Sequence, residues 1–197
     1  MPMPRFFATA SRGTEKVLAE ELRELGIPVV EEGRGGVAFG GTLEDAYRSC
    51  LWSRVASRIL FPLASFEADT ADALYEAVHA IDWTEHAGPE KTLAVDVAGG
   101  NSPAGPAHYL ALKTKDAIVD RVREVEGARP DVDTERPDLR VNVHVAGPRV
   151  TVNIDLAGQS LHHRGIDRRG AAAPLKENLA AALLRIAGWP SRCEAEP

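Results

Sequence analysis

The chain has 197 residues, of which 44% are apolar and 26% charged, with a formal net charge of −6; this is ordinary globular composition and excludes a disordered tail. No apolar run approaches the roughly 20 residues that cross a bilayer, so no membrane partner is expected. The charge is uneven: residues 1–65 balance, 66–155 hold nine basic against seventeen acidic residues, and 156–197 hold six against four, so a polyanion would have to be met by local basic patches against a repelling background.

"RFFATA" (5–10) predicts a short buried strand. "TEKVLAEELRELG" follows with Val17, Leu18, Leu22 and Leu25 at helical spacing, Thr14 as N-cap and Gly26 as the stop. "IPVVEE" and "GGVAFGG" predict a hairpin around Gly33 and Arg34. "TLEDAYRSCLWS" predicts a helix capped by Thr42, with Leu43, Ala46, Tyr47, Cys50 and Leu51 as its inner face. "RVASRILFPLASFEA" predicts a strand broken at Pro62. The order β-α-β-β-α-β is the split βαβ pattern of a ferredoxin-like unit.

A second unit is expected to begin near Phe66. "TADALYEAVHAIDW" predicts a helix, "KTLAVDVAGG" a strand and "NSPAGP" a loop. The longest helix is "AHYLALKTKDAIVDRVREVEG", with a buried stripe of Tyr109, Leu112, Ala117, Ile118, Val122 and Val125. "ARPDVDTERPD" is a proline-punctuated connection, and "LRVNVHVAGPRVTVNIDLAG" a hairpin turning at Gly147-Pro148 with alternating apolar residues. The fold class is α+β, divided as 1–64, 65–157 (a profile-type limit could start near 45) and 158–197. In the last segment Pro174 opens a helix whose stripe is Leu175, Leu179, Leu183 and Ile186. That helix packs on its own unit or belongs to a neighbouring domain.

The chemistry is sparse. The Gly-rich stretches "EEGRGGVAFGG" and "VAGGNSPAGP" are read as turns, neither following a strand and opening a helix as phosphate loops do. No P-loop, GxSxG, HExxH or zinc-like Cys/His pairing occurs. The side chains of His162 and His163 are expected to diverge, and Asp131, Asp133 and Glu135 to lie in a solvated loop. No catalytic, cofactor-binding or metal residue is assigned. Cys50 and Cys193 sit in unrelated contexts and the N-terminus lacks a signal-like apolar region, so a cytoplasmic location is expected.

Several strings resemble the N-terminal part of the large-subunit rRNA methyltransferase L family: "FFATASRGTEKVLAEELRELG", "LEDAYRSCLWSRVASRILFPL", "ALYEAVHAIDW", "YLALKTKDAIVDRVRE", "RPDVDTERPDLRVNVHV" and "LHHRGIDRRGAAAPLKENLAAALL". The resemblance spans about residues 5–190. It implies a ferredoxin-like unit followed by a THUMP domain, in enzymes that methylate the exocyclic N2 of a guanine in 23S rRNA. It also implies that the catalytic Rossmann-like domain and its S-adenosylmethionine belong to a longer parent, with no cofactor in this chain. Related tRNA guanine-N2 methyltransferases share the layout.

If the module grips structured RNA, a few well-placed cations suffice, each contributing a salt-dependent term. The candidates are Lys113 and Lys115 on the long helix, Arg140 and Asn142 on a polar strand face, Arg149 at the hairpin turn, and Arg164, Arg168 and Arg169 in the linker. His108 and Tyr109 are candidates to stack on an unpaired base. The competing accounts are solvated pairs (Lys113 with Asp116, Lys115 with Asp120, Arg140 with Asp138 or Asp155), a core role for Tyr109, and linker arginines that contact the absent domain. A scaffold module that recruits a protein is the second reading, and a small self-sufficient enzyme the third.

Overall fold

A computed structural model describes residues 3–163 and 175–189. In chain order the elements are β1 (Arg5–Thr9), α1 (Glu15–Glu24), β2 (Val29–Gly33), β3 (Gly36–Gly40), α2 (Leu43–Trp52), β4 (Arg58–Glu67) and α3 (Ala71–His79). They continue with β5 (Thr92–Gly99), α4 (Ala107–Glu126), β6 (Asp131–Val132), β7 (Leu139–Ala146), β8 (Arg149–Asp155) and α5 (Glu177–Ile186). The chain divides into two compact units, 1–60 with 159–197, and 61–158.

The first unit orders its strands β2-β3-β1-β4, antiparallel where β1 meets β3 and β4 and where β2 meets β3. Phe6 opposes Phe39 in register, their rings stacked at 5.3 Å, and Ala8, Leu18, Leu22, Val37 and Ile59 are fully buried around them. Thr42 caps α2 as predicted, in a box with Asp45. Thr14 does not cap α1: its hydroxyl donates to the Ser11 carbonyl instead. The inner face of α2 is Ala46 and Ser49, which leaves Leu43, Tyr47 and Leu51 about half exposed or more. Of the predicted face, Ala46 is buried and Cys50 half-buried, while its large apolar members turn outward.

The last helix also packs on a different face from the predicted one. Leu175, Leu183 and Ile186 are exposed, whereas Asn178 and Ala182 are buried. Asn178 Nδ2 donates to Ser57 Oγ at 2.7 Å, and Arg185 reaches Glu24 at 2.8 Å and Glu21 at 3.6 Å, so α5 is tied to its own unit by polar contacts. Glu21 is the centre of this arrangement. Only 2% exposed, its carboxylate accepts from the Ser53 hydroxyl and from the Arg54 and Val55 N–H groups.

Strand β4 is not broken at Pro62. Its pairing with β1 covers Arg58, Ile59 and Leu60 only, so the missing proline N–H falls after that ladder has ended.

The second unit orders its strands β4-β8-β7-β5-β6. β5 runs parallel to β7 and to the two-residue β6, which lies in the stretch read from sequence as mere connection. Val141, Val143 and Val145 of β7 stand opposite Ile154, Val152 and Val150 of β8 and share one face. That face joins Leu74, Val78, Trp83, Leu110, Ala117, Ile118 and Val122 in a single core. The buried stripe of α4 is therefore Leu110, Thr114, Ala117, Ile118 and Val122. Tyr109, Leu112 and Val125 are exposed by 43%, 45% and 51%.

Candidate nucleic-acid interface

Four features meet at one end of the second unit. β5 ends at Gly99, whose φ of +117° lets the backbone press against β7: a Cβ there would lie 2.0 Å from the Val145 carbonyl oxygen. The Gly100 N–H donates to that same carbonyl at 2.9 Å. Residues 100–106 then lead into the N-terminus of α4, so the stretch "VAGGNSPAGP" does follow a strand and open a helix, contrary to its reading as an isolated turn. The β7–β8 turn closes the same edge, with Arg149 beside Pro148, and the Pro148 carbonyl accepts from Ala68 N at 2.8 Å just before α3 begins. The N-termini of α3 and α4 are thus gathered at the carboxyl ends of β5 and β7, a favourable electrostatic setting for an anion.

Among the described residues, the loop at this edge leaves no open cradle for S-adenosylmethionine beside its glycines. The Tyr109 ring lies over Gly105, 3.2 Å from where a Cβ would stand, and the Val145 carbonyl occupies the space at Gly99. What this edge offers is an exposed rim: His108, Tyr109 and Arg149 are all exposed.

Lys113 sits just behind the rim. Its Nζ is 3.1 Å from Asp72 of α3 and lies 5.9 Å and 6.0 Å from the Tyr75 and Tyr109 ring centres. The hydrogen bond to Asp72, helped by Tyr109 and Asp116, holds its ammonium above the ordinary lysine range. Lys113 thus pairs across helices rather than with Asp116. Beside it, Tyr75 donates to Asp120 at 2.8 Å, which raises its own phenol pKa with some help from burial. His79 stacks on Tyr75 and meets Glu124 at 3.1 Å. Lys115, two residues on and so on the other side of the helix, pairs with Asp116 rather than Asp120.

Arg140 and Asn142 do not join this edge. Arg140 lies at the opposite end of β7, its side chain 11% exposed, bonded to Asp96 at 2.9 Å and to the Thr134 carbonyl at 3.1 Å. Its acidic partner is thus Asp96 rather than Asp138 or Asp155; Asp138 accepts from Thr92 N and Oγ1, which hold its carboxyl below the usual range. Asn142 is 7% exposed and accepts from Asn153 Nδ2. The polar alternation in β7 and β8 therefore builds a hydrogen-bonded sheet face rather than an open surface. Arg164, Arg168 and Arg169 lie outside the described residues. His162 and His163 do not diverge: their rings are 4.0 Å apart. Asp133 caps its own turn, accepting from the Glu135 and Arg136 N–H groups.

Sequence reasoning missed Asp72 as the partner of Lys113 and Gly99 as the pivot of the edge. The first is a tertiary contact 41 residues apart and leaves no local signal. The second was visible as a glycine pair between strand and helix.

A ferredoxin-like unit followed by this α/β unit defines a THUMP-containing protein: one family model, the RlmL ferredoxin-like domain, matches residues 5–60, and another, the THUMP domain, matches 68–155. Within that class the chain is similar to the N-terminal part of proteins named ribosomal RNA large subunit methyltransferase K/L. It is 53% identical over 186 residues to the Syntrophotalea carbinolica protein of that name, covering 94% of this chain and 26% of that protein. Against the Methylococcus capsulatus protein it is 52% identical over 191 residues, covering 96% and 26%. The chain thus spans about a quarter of the length of these relatives. A solved structure described as a predicted N6-adenine-specific DNA methylase from Listeria monocytogenes superposes with a TM-score of 0.80 at 30% identity, covering 94% of this chain and 49% of that one. Among the described residues no helix is long and apolar enough to cross a membrane.

Proposed function

We propose that this chain is the RNA-recognition region of an S-adenosylmethionine-dependent methyltransferase acting on guanine N2 in 23S rRNA. It holds structured rRNA while a catalytic domain outside these 197 residues carries the cofactor and the chemistry. The observation that carries the reading is the THUMP match over 68–155, whose rim presents His108, Tyr109 and Arg149 beside two helix N-termini. Arg149 contributes charge for phosphate, and the exposed rings of His108 and Tyr109 offer stacking faces to an unpaired base. Lys113 contributes as a cation shared with Asp72, and Lys115 as one shared with Asp116. Arg164, Arg168 and Arg169 would add the linker's charge to the grip. Arg140 and Asn142 serve this reading indirectly, by fixing β7 against its neighbours.

The test is equilibrium binding of the chain to transcripts tiling 23S rRNA, with tRNA transcripts as competitors. Preferential binding to one 23S segment, weakening steeply with salt, supports the rRNA reading. Preference for tRNA moves the chain to the related tRNA-modifying branch, and capture of a protein that survives ribonuclease treatment, with no RNA affinity, supports the scaffold reading.

A further inference from the structure

The first unit has a basic platform whose construction is visible in its hydrogen bonds. Glu15, the first residue of α1, turns its carboxylate back: one oxygen accepts from Gly13 N at 2.7 Å and the other from Gly35 N at 3.2 Å. The Ala10 N–H donates to the Gly35 carbonyl at 2.9 Å. One side chain and one main-chain bond thereby clamp the β1–α1 loop to the β2–β3 turn. Gly13 and Gly35 take φ of +88° and +76°, the left-handed region that glycine tolerates best.

The residues carried by this clamp are cationic. Arg12 stands in the loop, Arg34 in the turn and Lys16 on the first turn of α1, all three exposed. Three of the nearby acids are already engaged. Glu15 has both oxygens on backbone N–H groups; its own N–H, then those of Gly13 and Gly35, hold its carboxyl below the usual range, with a smaller pull from the Arg12 charge. Glu31 pairs with Arg5, and Glu32 faces Arg23 at 4.0 Å. Among the described residues, Arg12, Lys16 and Arg34 have no ion-pair partner, whereas Lys113, Lys115 and Arg140 each have one. The platform residues 11–16 and 33–36 expose no large apolar side chain. It lacks the aromatic or aliphatic centre that a protein interface needs.

We propose that Arg12, Lys16 and Arg34 form a second RNA contact in the ferredoxin-like unit, one that grips the phosphodiester backbone without reading bases. This rests on the RNA-binding reading above. The chemistry favours it: guanidinium forks suit phosphate oxygens, and the Glu15 clamp holds the two loops together before RNA arrives, which lowers the ordering cost of binding.

The probe is a folded RNA hairpin transcript bound by the whole chain across a salt series. Each lost phosphate contact flattens the log–log salt slope by about 0.9 on duplex RNA treated like B-form DNA, so R12A/R34A should flatten it by about 1.8 and weaken binding about 60-fold at 0.1 M salt. R12K/R34K should restore most of the slope, because charge is kept while the fork is lost. Wild-type binding with an unchanged slope in a folded R12A/R34A variant overturns the platform and leaves the RNA reading standing. Wild-type binding that is absent or indifferent to salt overturns both.

Discussion

Replacing Glu21 with alanine removes the acceptor around which three segments of the first unit are arranged. Its carboxylate accepts from Ser53 Oγ and from the N–H groups of Arg54 and Val55, and it faces Arg185 Nη2 at 3.6 Å. Alanine brings no acceptor, and at 2% exposure there is little room for water to substitute. A buried donor left unmade costs about 1–3 kcal/mol. With the part-buried Arg54 N–H at the low end, the three donors sum to about 3–7 kcal/mol, overlapping the roughly 3–5 kcal/mol found when one member of a buried charged pair is removed. For a unit of roughly 100 residues, each kcal/mol lowers the melting point by about 4–8 °C, so the transition of this unit should fall by at least about 12 °C. Thermal unfolding by circular dichroism reads the shift, and hydrogen exchange locates it, since the Arg54 and Val55 amides should lose protection while Trp83 of the second unit stays buried. E21Q keeps one acceptor oxygen and should fall between wild type and alanine. A drop under about 4 °C for E21A would refute the claim that Glu21 organises the unit.

Three further outcomes follow from the pairings at the helix ends. D72N should lower the titration midpoint of the Lys113 ammonium, followed by NMR. The pair's stabilisation is full below the ordinary lysine pKa of about 10.4 and disappears as pH rises through the raised folded value. The same variant should strengthen RNA binding about two- to five-fold at low salt, because it removes an anion from beside the rim; unchanged affinity would take Lys113 off the contact surface. The Asp45 carboxyl is held down by the Thr42 N–H and then its hydroxyl, so D45N should lower the melting point at neutral pH. That difference should close as pH falls below the ordinary carboxyl value of about 3.9 and through the lower folded one.

The sequence was most informative where local rules decide. The β-α-β-β-α-β order, the Thr42 cap and the alternating valines of β7 and β8 all depend on spacing within a few residues, and the structure has them. It was least informative about which helix face turns inward. For α2 and α5 most large apolar residues of the predicted stripes turn outward, and apart from Ala46, which the α2 stripe included, small or polar residues outside them (Ser49, Asn178 and Ala182) pack inward because polar anchors such as Ser57 and Glu21 fix the helices. The site shows the same division. Arg149 and His108 could be read as exposed from turn and helix-start signals. Arg140 could not be read as bonded to Asp96, 44 residues away on a parallel neighbour. Charge in a sequence marks a candidate contact; only the fold shows whether another part of the chain has already taken it.

The measurement that tests the account most directly is amide hydrogen exchange of the chain, free and with saturating 23S rRNA fragment. The account predicts added protection over residues 100–113 and 147–149, the rim of the THUMP unit. Protection confined to residues 131–140 at the far end of β7, or none anywhere in 61–158, would contradict it.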